Sequence, residues 1–211
     1  MKTPFKALIF CLCVINYAVA DEFPAEAWRT LRSGSVWMRE LPVSKNELGR
    51  RFEAVALMKA SVSEWEHVLL DYARYPEFMP HVATTRIEKL DAKRDALEYT
   101  LALPMGYTKR YRLAMSPSAT KDGFELAWRK LDWPGLAATD TVRDTQGAWR
   151  VTLDAHAPDQ VLIRYQVYTD PGAVPFGTGW IVDLLSERSV PDVVEKTRDR
   201  IKQLRAPVPS R

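Results

Sequence analysis

The 211 residues include 30 Lys and Arg against 27 Asp and Glu, for a formal net charge of +3, and 46% of the chain is apolar. So balanced a chain has no basic footprint of a nucleic-acid binder. Its two cysteines, Cys11 and Cys13, both fall in the first 20 residues. Downstream of them, disulfides, a nucleophilic thiol and thiolate metal sites are excluded, and the fold must hold by its core.

The N-terminus has the pattern of a secretory signal peptide. Lys2 and Lys6 precede an apolar run over 7–15, and Ala18-Val19-Ala20 forms an A-x-A processing site before Asp21. The run is too short to span a bilayer, and Asn16 interrupts it. Neither Cys11 nor Cys13 has the small-residue surroundings of a lipoprotein signal. The reading is an exported, periplasmic or secreted protein in which 1–20 are removed. About 190 residues and a net charge of +1 then remain, enough for one domain. Its parts are an N-terminal helix and first strand over 21–49, the remainder over 50–206, and a tail over 207–211.

The spacing predicts a short helix over 24–32 with Trp28 and Leu31 on one side, a strand over 36–41, and a polar connection over 42–49. Residues 51–60 alternate, with Phe52, Ala54, Ala56 and Met58 opposite Glu53, Val55 and Leu57, as in a strand. Ser63 and Glu66 have capping-box spacing and place the start of a helix there. In the corner over 68–82, Pro76 and Pro80 force a helix–turn–helix break. Tyr72, Tyr75, Phe78 and Met79 recur at spacings of three and four and share one buried face.

Strands follow over 84–90, 97–105, 109–115, 123–131, 148–155 and 160–169. One face carries Leu97, Tyr99, Leu101, Leu103 and Met105, then Phe124, Leu126 and Trp128, then Trp149, Val151 and Leu153, then Val161, Ile163, Tyr165 and Val167. Such one-sided alternation predicts an antiparallel sheet with one covered face and one wet face. The cover is a long C-terminal helix over 179–204, carrying Trp180, Leu184, Val194 and Ile201 at helical spacing, with a break near Pro191. The fold class is α+β: a strongly curved antiparallel sheet wrapped around a long C-terminal helix, with two short helices closing the side.

This order of elements resembles the START-like superfamily, the helix-grip fold of lipid-transfer domains and their polyketide-cyclase and coenzyme Q-binding-like relatives. Three passages carry the resemblance. They are the corner over 68–82, with its Asp71-Tyr72, Tyr75-Pro76 and Phe78-Met79-Pro80-His81; the pair Gly147-Ala148-Trp149-Arg150-Val151 and Val161-Leu162-Ile163-Arg164-Tyr165; and Asp170-Pro171-Gly172-Ala173-Val174-Pro175 with Trp180-Ile181-Val182-Asp183-Leu184-Leu185 and Ser189-Val190-Pro191. The resemblance covers about 37–204. The resemblance implies an internal tunnel for a lipid or other apolar ligand, without fixing which.

No assembled catalytic site is legible. His67 and Asp71, four apart on a helix, read as a surface pair; His81 finishes a turn; Asp154 and His156 lack a third metal ligand. There is no G-x-S-x-G, and Gly177-Thr178-Gly179 reads as a hinge rather than a phosphate loop. Lys109, Arg110 and Arg112 read as a solvated strand face. No catalytic residue, metal ligand or cofactor is therefore assigned.

The inward positions Tyr99, Met105, Tyr111, Trp128, Trp149, Tyr165, Trp180 and Leu184 are candidate ligand-binding residues. Trp133, Leu136, Val174 and Phe176 are apolar residues in predicted loops and candidate gate residues. The expected function is a monomeric binding or transfer protein for a lipid or other hydrophobic small molecule, of acyl, isoprenoid or sterol type, with transient membrane contact and no catalytic turnover. A cavity too small for an acyl chain would sink this lipid reading. The alternatives are a cyclase or dehydratase acting on an apolar substrate in the same cavity, and an envelope assembly partner holding a protein segment.

Overall fold

A computed structural model describes residues 23–154, 157–172 and 187–206. Among them are eight strands: β1 (Trp37–Leu41), β2 (Arg50–Lys59), β3 (Val82–Lys89), β4 (Asp95–Ala102), β5 (Thr108–Thr120), β6 (Gly123–Leu131), β7 (Asp144–Asp154) and β8 (Ala157–Asp170). The described helices are α1 (Ala25–Arg32), α2 (Val62–Leu70), α3 (Tyr75–Phe78) and α4 (Ser189–Arg205). The strands form one antiparallel sheet in the order β1-β2-β8-β7-β6-β5-β4-β3. This is the curved α+β architecture expected from the alternation.

The inner face of the sheet is built by the period-two positions. Phe52, Ala54 and Ala56 from β2, Leu97 from β4, Leu113 from β5, Leu126 from β6, Val151 from β7 and Ile163 from β8 join one core. Trp65, Val68 and Leu69 of α2 and Val190, Val194 and Ile201 of α4 close over it. Trp180 and Leu184, on the expected start of the last helix, lie outside the described residues, as do Val174, Phe176, His156 and the expected leader.

Several local expectations shift. The capping box is Ser61 with Glu64, two residues earlier than Ser63 with Glu66: Glu64 N–H donates to Ser61 Oγ at 3.3 Å, and Ser61 N–H donates to the Glu64 carboxylate at 2.8 Å. Both pairs share the same spacing, and Ser61 has the extended backbone of an N-cap. The chain breaks at Asp71 rather than at a proline, because Pro76 sits in the first turn of α3, where its missing N–H costs nothing. Pro191 likewise lies in the first turn of α4, which begins at Ser189 within the expected break; the residues that would precede the break lie outside the described ones.

The outer face is not wet throughout. Phe23, Ala27 and Leu31 pack from the α1 side onto Val55, with Trp28, Trp37, Leu57 and Leu162 around them. This second cover seals Glu53, which is 0% exposed. Arg39 Nε donates to it at 2.7 Å, Arg164 Nη2 at 2.6 Å and Gln166 Nε2 at 2.8 Å. Both guanidiniums also face the Phe23 ring, at 5.7 and 5.2 Å.

α4 is fixed at its far end by ions. Arg205 makes two hydrogen bonds to Glu64, of 2.6 and 2.8 Å, and one to the Lys59 carbonyl at 2.8 Å. Arg198 donates to the Gly34 carbonyl at 2.9 Å, and Arg200 pairs with Glu77 at 3.0 Å. None of the described helices is long and apolar enough to cross a membrane.

Burial alone would raise the Glu53 pKa, but hydrogen bonds from Gln166, Arg164 and Arg39 outweigh it and hold the carboxyl below its ordinary 4.5. A depressed carboxyl stabilises the fold above its unfolded-state value and loses that contribution as pH falls, because the unfolded chain takes up the proton first. Glu53→Gln, which leaves two arginines facing a neutral group, should lower the unfolding free energy by about 3 kcal/mol at pH 7. In urea titrations from pH 6 to pH 3, the variant should lose less stability than the wild type.

Candidate functional site

Between the inner face of the sheet, the α3 corner and α4 lies a cavity of about 130 Å³. Each strand from β4 to β8 contributes to its wall. Tyr99 and Tyr111 are cross-strand partners and stack with ring centroids 5.2 Å apart. Trp149 and Tyr165 are also partners, at 4.5 Å, and Trp128 stacks on Tyr165 at 5.6 Å. Tyr75, Met79, His81 and Val82 line it from the corner, and Ser189 and Val193 from α4.

The Trp128 ring lies where it does because its partner across β6 and β7 is Gly147. A Cβ at Gly147 would stand 2.5 Å from Trp128 Cζ2 and 2.1 Å from the Gln166 carbonyl oxygen. Only a residue without a side chain lets the indole cross over β7 to reach Tyr165.

Five of the candidate ligand-binding residues, Tyr99, Tyr111, Trp128, Trp149 and Tyr165, thus line one cavity. Met105 does not. Its strand ends at Ala102, Pro104 and Gly106 flank it in a tight turn, and Met105 sits at the tip with φ 59°, 74% exposed. Proline cannot continue the ladder, so alternation stops short of it. Leu103 stays buried with Leu101 in a small satellite cluster.

The candidate gate residues Trp133 and Leu136 line a second hollow, of about 490 Å³, beneath the connection between β6 and β7. Val142, 2% exposed, is the one described residue that lines both hollows. This connection is tied to β5 by residues that read as solvated in the sequence. Lys109 is 3% exposed and donates to the carbonyls of Thr139 at 2.7 Å and Thr141 at 3.0 Å. Burial lowers its pKa, and Asp140 partly offsets this. The Arg110 guanidinium lies 4.9 Å from the Trp133 ring, while Arg112 pairs with Glu88 and Glu98. At the end of β8, Asp170 accepts from Gly172 N–H at 2.9 Å and from the Arg143 side chain at 3.1 Å, holding the same connection from the other side.

The chemistry of the wall is apolar with neutral hydroxyls. Burial holds the Tyr75, Tyr99, Tyr111 and Tyr165 phenols far above the ordinary 10, so all stay protonated. Among the described residues, no Lys, Arg, Asp or Glu lines the cavity, His81 is its one imidazole, and no group of three metal-ligating side chains occurs. An engineered cavity of about 150 Å³ holds one benzene. On that scale this space takes a single ring or a few methylenes. As it stands, it is smaller than the acyl, isoprenoid and sterol ligands expected from the sequence.

No protein-family model matches the chain, and no curated protein matches its sequence. Solved structures do match in shape. A STAR-related lipid transfer protein from Xanthomonas axonopodis superposes with a TM-score of 0.66 at 19% identity, over 80% of this chain and 94% of that one. The fold is START-like. Human StAR-related lipid transfer protein 5 gives a TM-score of 0.69 at 11% identity, over 82% and 84% of the two chains. The Zhui aromatase/cyclase from Streptomyces sp. R1128 gives 0.55 at 16%, over 81% and 98%. At these identities the likeness establishes the START-like fold and leaves the ligand to the site's own chemistry.

Gly147→Ala should drive Trp128 off Tyr165 and strain β7 against β8, with a stability loss of about 2 kcal/mol in chemical denaturation. Tryptophan emission should shift with it. Ala148→Gly, on the neighbouring residue, should leave the emission unchanged.

Proposed function

We propose that this protein binds a hydrophobic small molecule in the cavity between sheet and helix and carries it without chemical turnover. One observation supports this reading above the others: five adjacent strands each give an aromatic ring to one wall, and no ion is found among the described lining residues. Burying a six-carbon ring there gains roughly 5 kcal/mol, at about 0.8 kcal/mol per carbon. Lipid transfer proteins share the fold, which supports a lipid as the wider ligand class. A lipid tail needs more space than the cavity has, and displacement of Val142 toward the Trp133 and Leu136 hollow is the route that would supply it. The leader pattern of residues 1–20 supports export to the periplasm or beyond, and action as a monomer with brief membrane contact at the Trp133 loop completes the proposal.

A second reading, a cyclase or dehydratase, draws support from His81, the one imidazole on the described wall, and from the cyclase that shares the fold. A general acid or base must reach the reacting atom. If turnover occurs, His81→Ala should abolish it while leaving binding intact.

Native mass spectrometry of protein purified from the envelope fraction tests the main reading. A hydrophobic mass released by organic solvent, on a chain beginning at Asp21, is the expected result. Protein that is ligand-free and whose tryptophan fluorescence no small hydrophobe quenches would contradict it.

A further inference from the structure

The cavity is apolar in its rings but not in its hydroxyls. Tyr75 has its need met within the fold, donating to the Leu69 carbonyl at 2.6 Å. The other three wall tyrosines do not. Among the described residues, no group exchanges a hydrogen bond with the hydroxyls of Tyr99, Tyr111 or Tyr165, although Tyr99 is only 7% exposed. They are not sealed into the core as the Tyr72 hydroxyl is. The three also cluster. Tyr99 and Tyr111 stack at 5.2 Å; the Tyr111 and Tyr165 hydroxyls lie near enough to that of Tyr99, and the Tyr111 hydroxyl to that of Tyr165, to disfavour their ionisation. Buried polar groups nearly always have partners, so three neighbouring donors left open around a cavity are a feature to be explained.

We propose that Tyr99, Tyr111 and Tyr165 form the selective end of the cavity and bind the oxygen of a compact, neutral, ring-bearing carbonyl compound. This rests on the ligand-cavity reading above and narrows it from any hydrophobe to one class. The space of about 130 Å³ fixes the ligand near one ring system in size. The hydroxyls remain donors at any physiological pH, so the complementary group is an acceptor. Without a described cation on the wall, a carboxylate would enter the cavity uncompensated, whereas a ketone or quinone oxygen accepts two donors at no charge cost. Trp128 and Trp149, packed on Tyr165, give the cavity apolar surface for the ring.

A matched pair of probes, indane and 1-indanone, tests this. They share a carbon skeleton and differ by one carbonyl. Binding to the wild type and to Tyr99→Phe, Tyr111→Phe and Tyr165→Phe is followed by tryptophan fluorescence and calorimetry. The phenylalanine variants keep every ring and lose only the hydroxyl. At least two of the single variants should weaken 1-indanone by about fivefold to tenfold, and the triple variant by more, while indane binds as before. Unchanged indane binding also certifies that the variants are folded. If the wild type binds both probes and the substitutions leave 1-indanone untouched, the carbonyl assignment is wrong and the ligand cavity stands. If the wild type binds neither, both fall.

Discussion

The site depends on one close approach, that of the Trp128 indole to the bare backbone of Gly147. With a side chain at Gly147, the indole could not lie across β7, and the stack from Trp128 through Tyr165 to Trp149 would break. That stack stands on the inner face of the sheet, between the strands and the helices that cover them. Rings this large, fixed by their cross-strand partners, cannot collapse like a cluster of leucines. A curved sheet under α2 and α4 therefore keeps a hollow where an ordinary core would close.

Around the hollow, electrostatics is kept outside. Glu53, buried and held by Arg39, Arg164 and Gln166, lies on the outer face beneath Phe23 and α1. Glu64 and Arg205 join the start of α2 to the end of α4, where the capping box and a two-bond ion pair share one carboxylate. Hydrogen bonds from Arg205, then from Ser61, hold the Glu64 pKa near 2. Lys109 spends its charge on the carbonyls of the β6–β7 connection. These polar contacts set the frame, and the described inner wall carries rings, methyls, hydroxyls and the His81 imidazole.

Much of this was legible because period two is a strong signal. Phe124, Leu126 and Trp128 lie on one face for the same reason that Glu125 and Arg129 lie on the other, and no tertiary knowledge is needed. Met105 marks where the pattern overreaches: the alternation continues on paper past Pro104, but the ladder cannot. The role of Gly147 was hidden because it depends on register, and nothing in a single strand says that Gly147 will face Trp128. Glu53 and Lys109 were hidden too. A charge in a strand reads as solvated unless the element covering it is known, and here α1 covers one and the β6–β7 connection holds the other. Ser61 and Ser63 offered the same capping spacing, and only the backbone conformation decides between them.

The central claim is that space remains between the aromatic wall and the covering helices. Crystals of the protein held under xenon pressure test it most directly, since xenon enters apolar cavities without needing a specific partner. The account predicts xenon density bounded by Tyr111, Trp128, Trp149 and Tyr165. Rings in contact across that space, with no xenon between them, would contradict it.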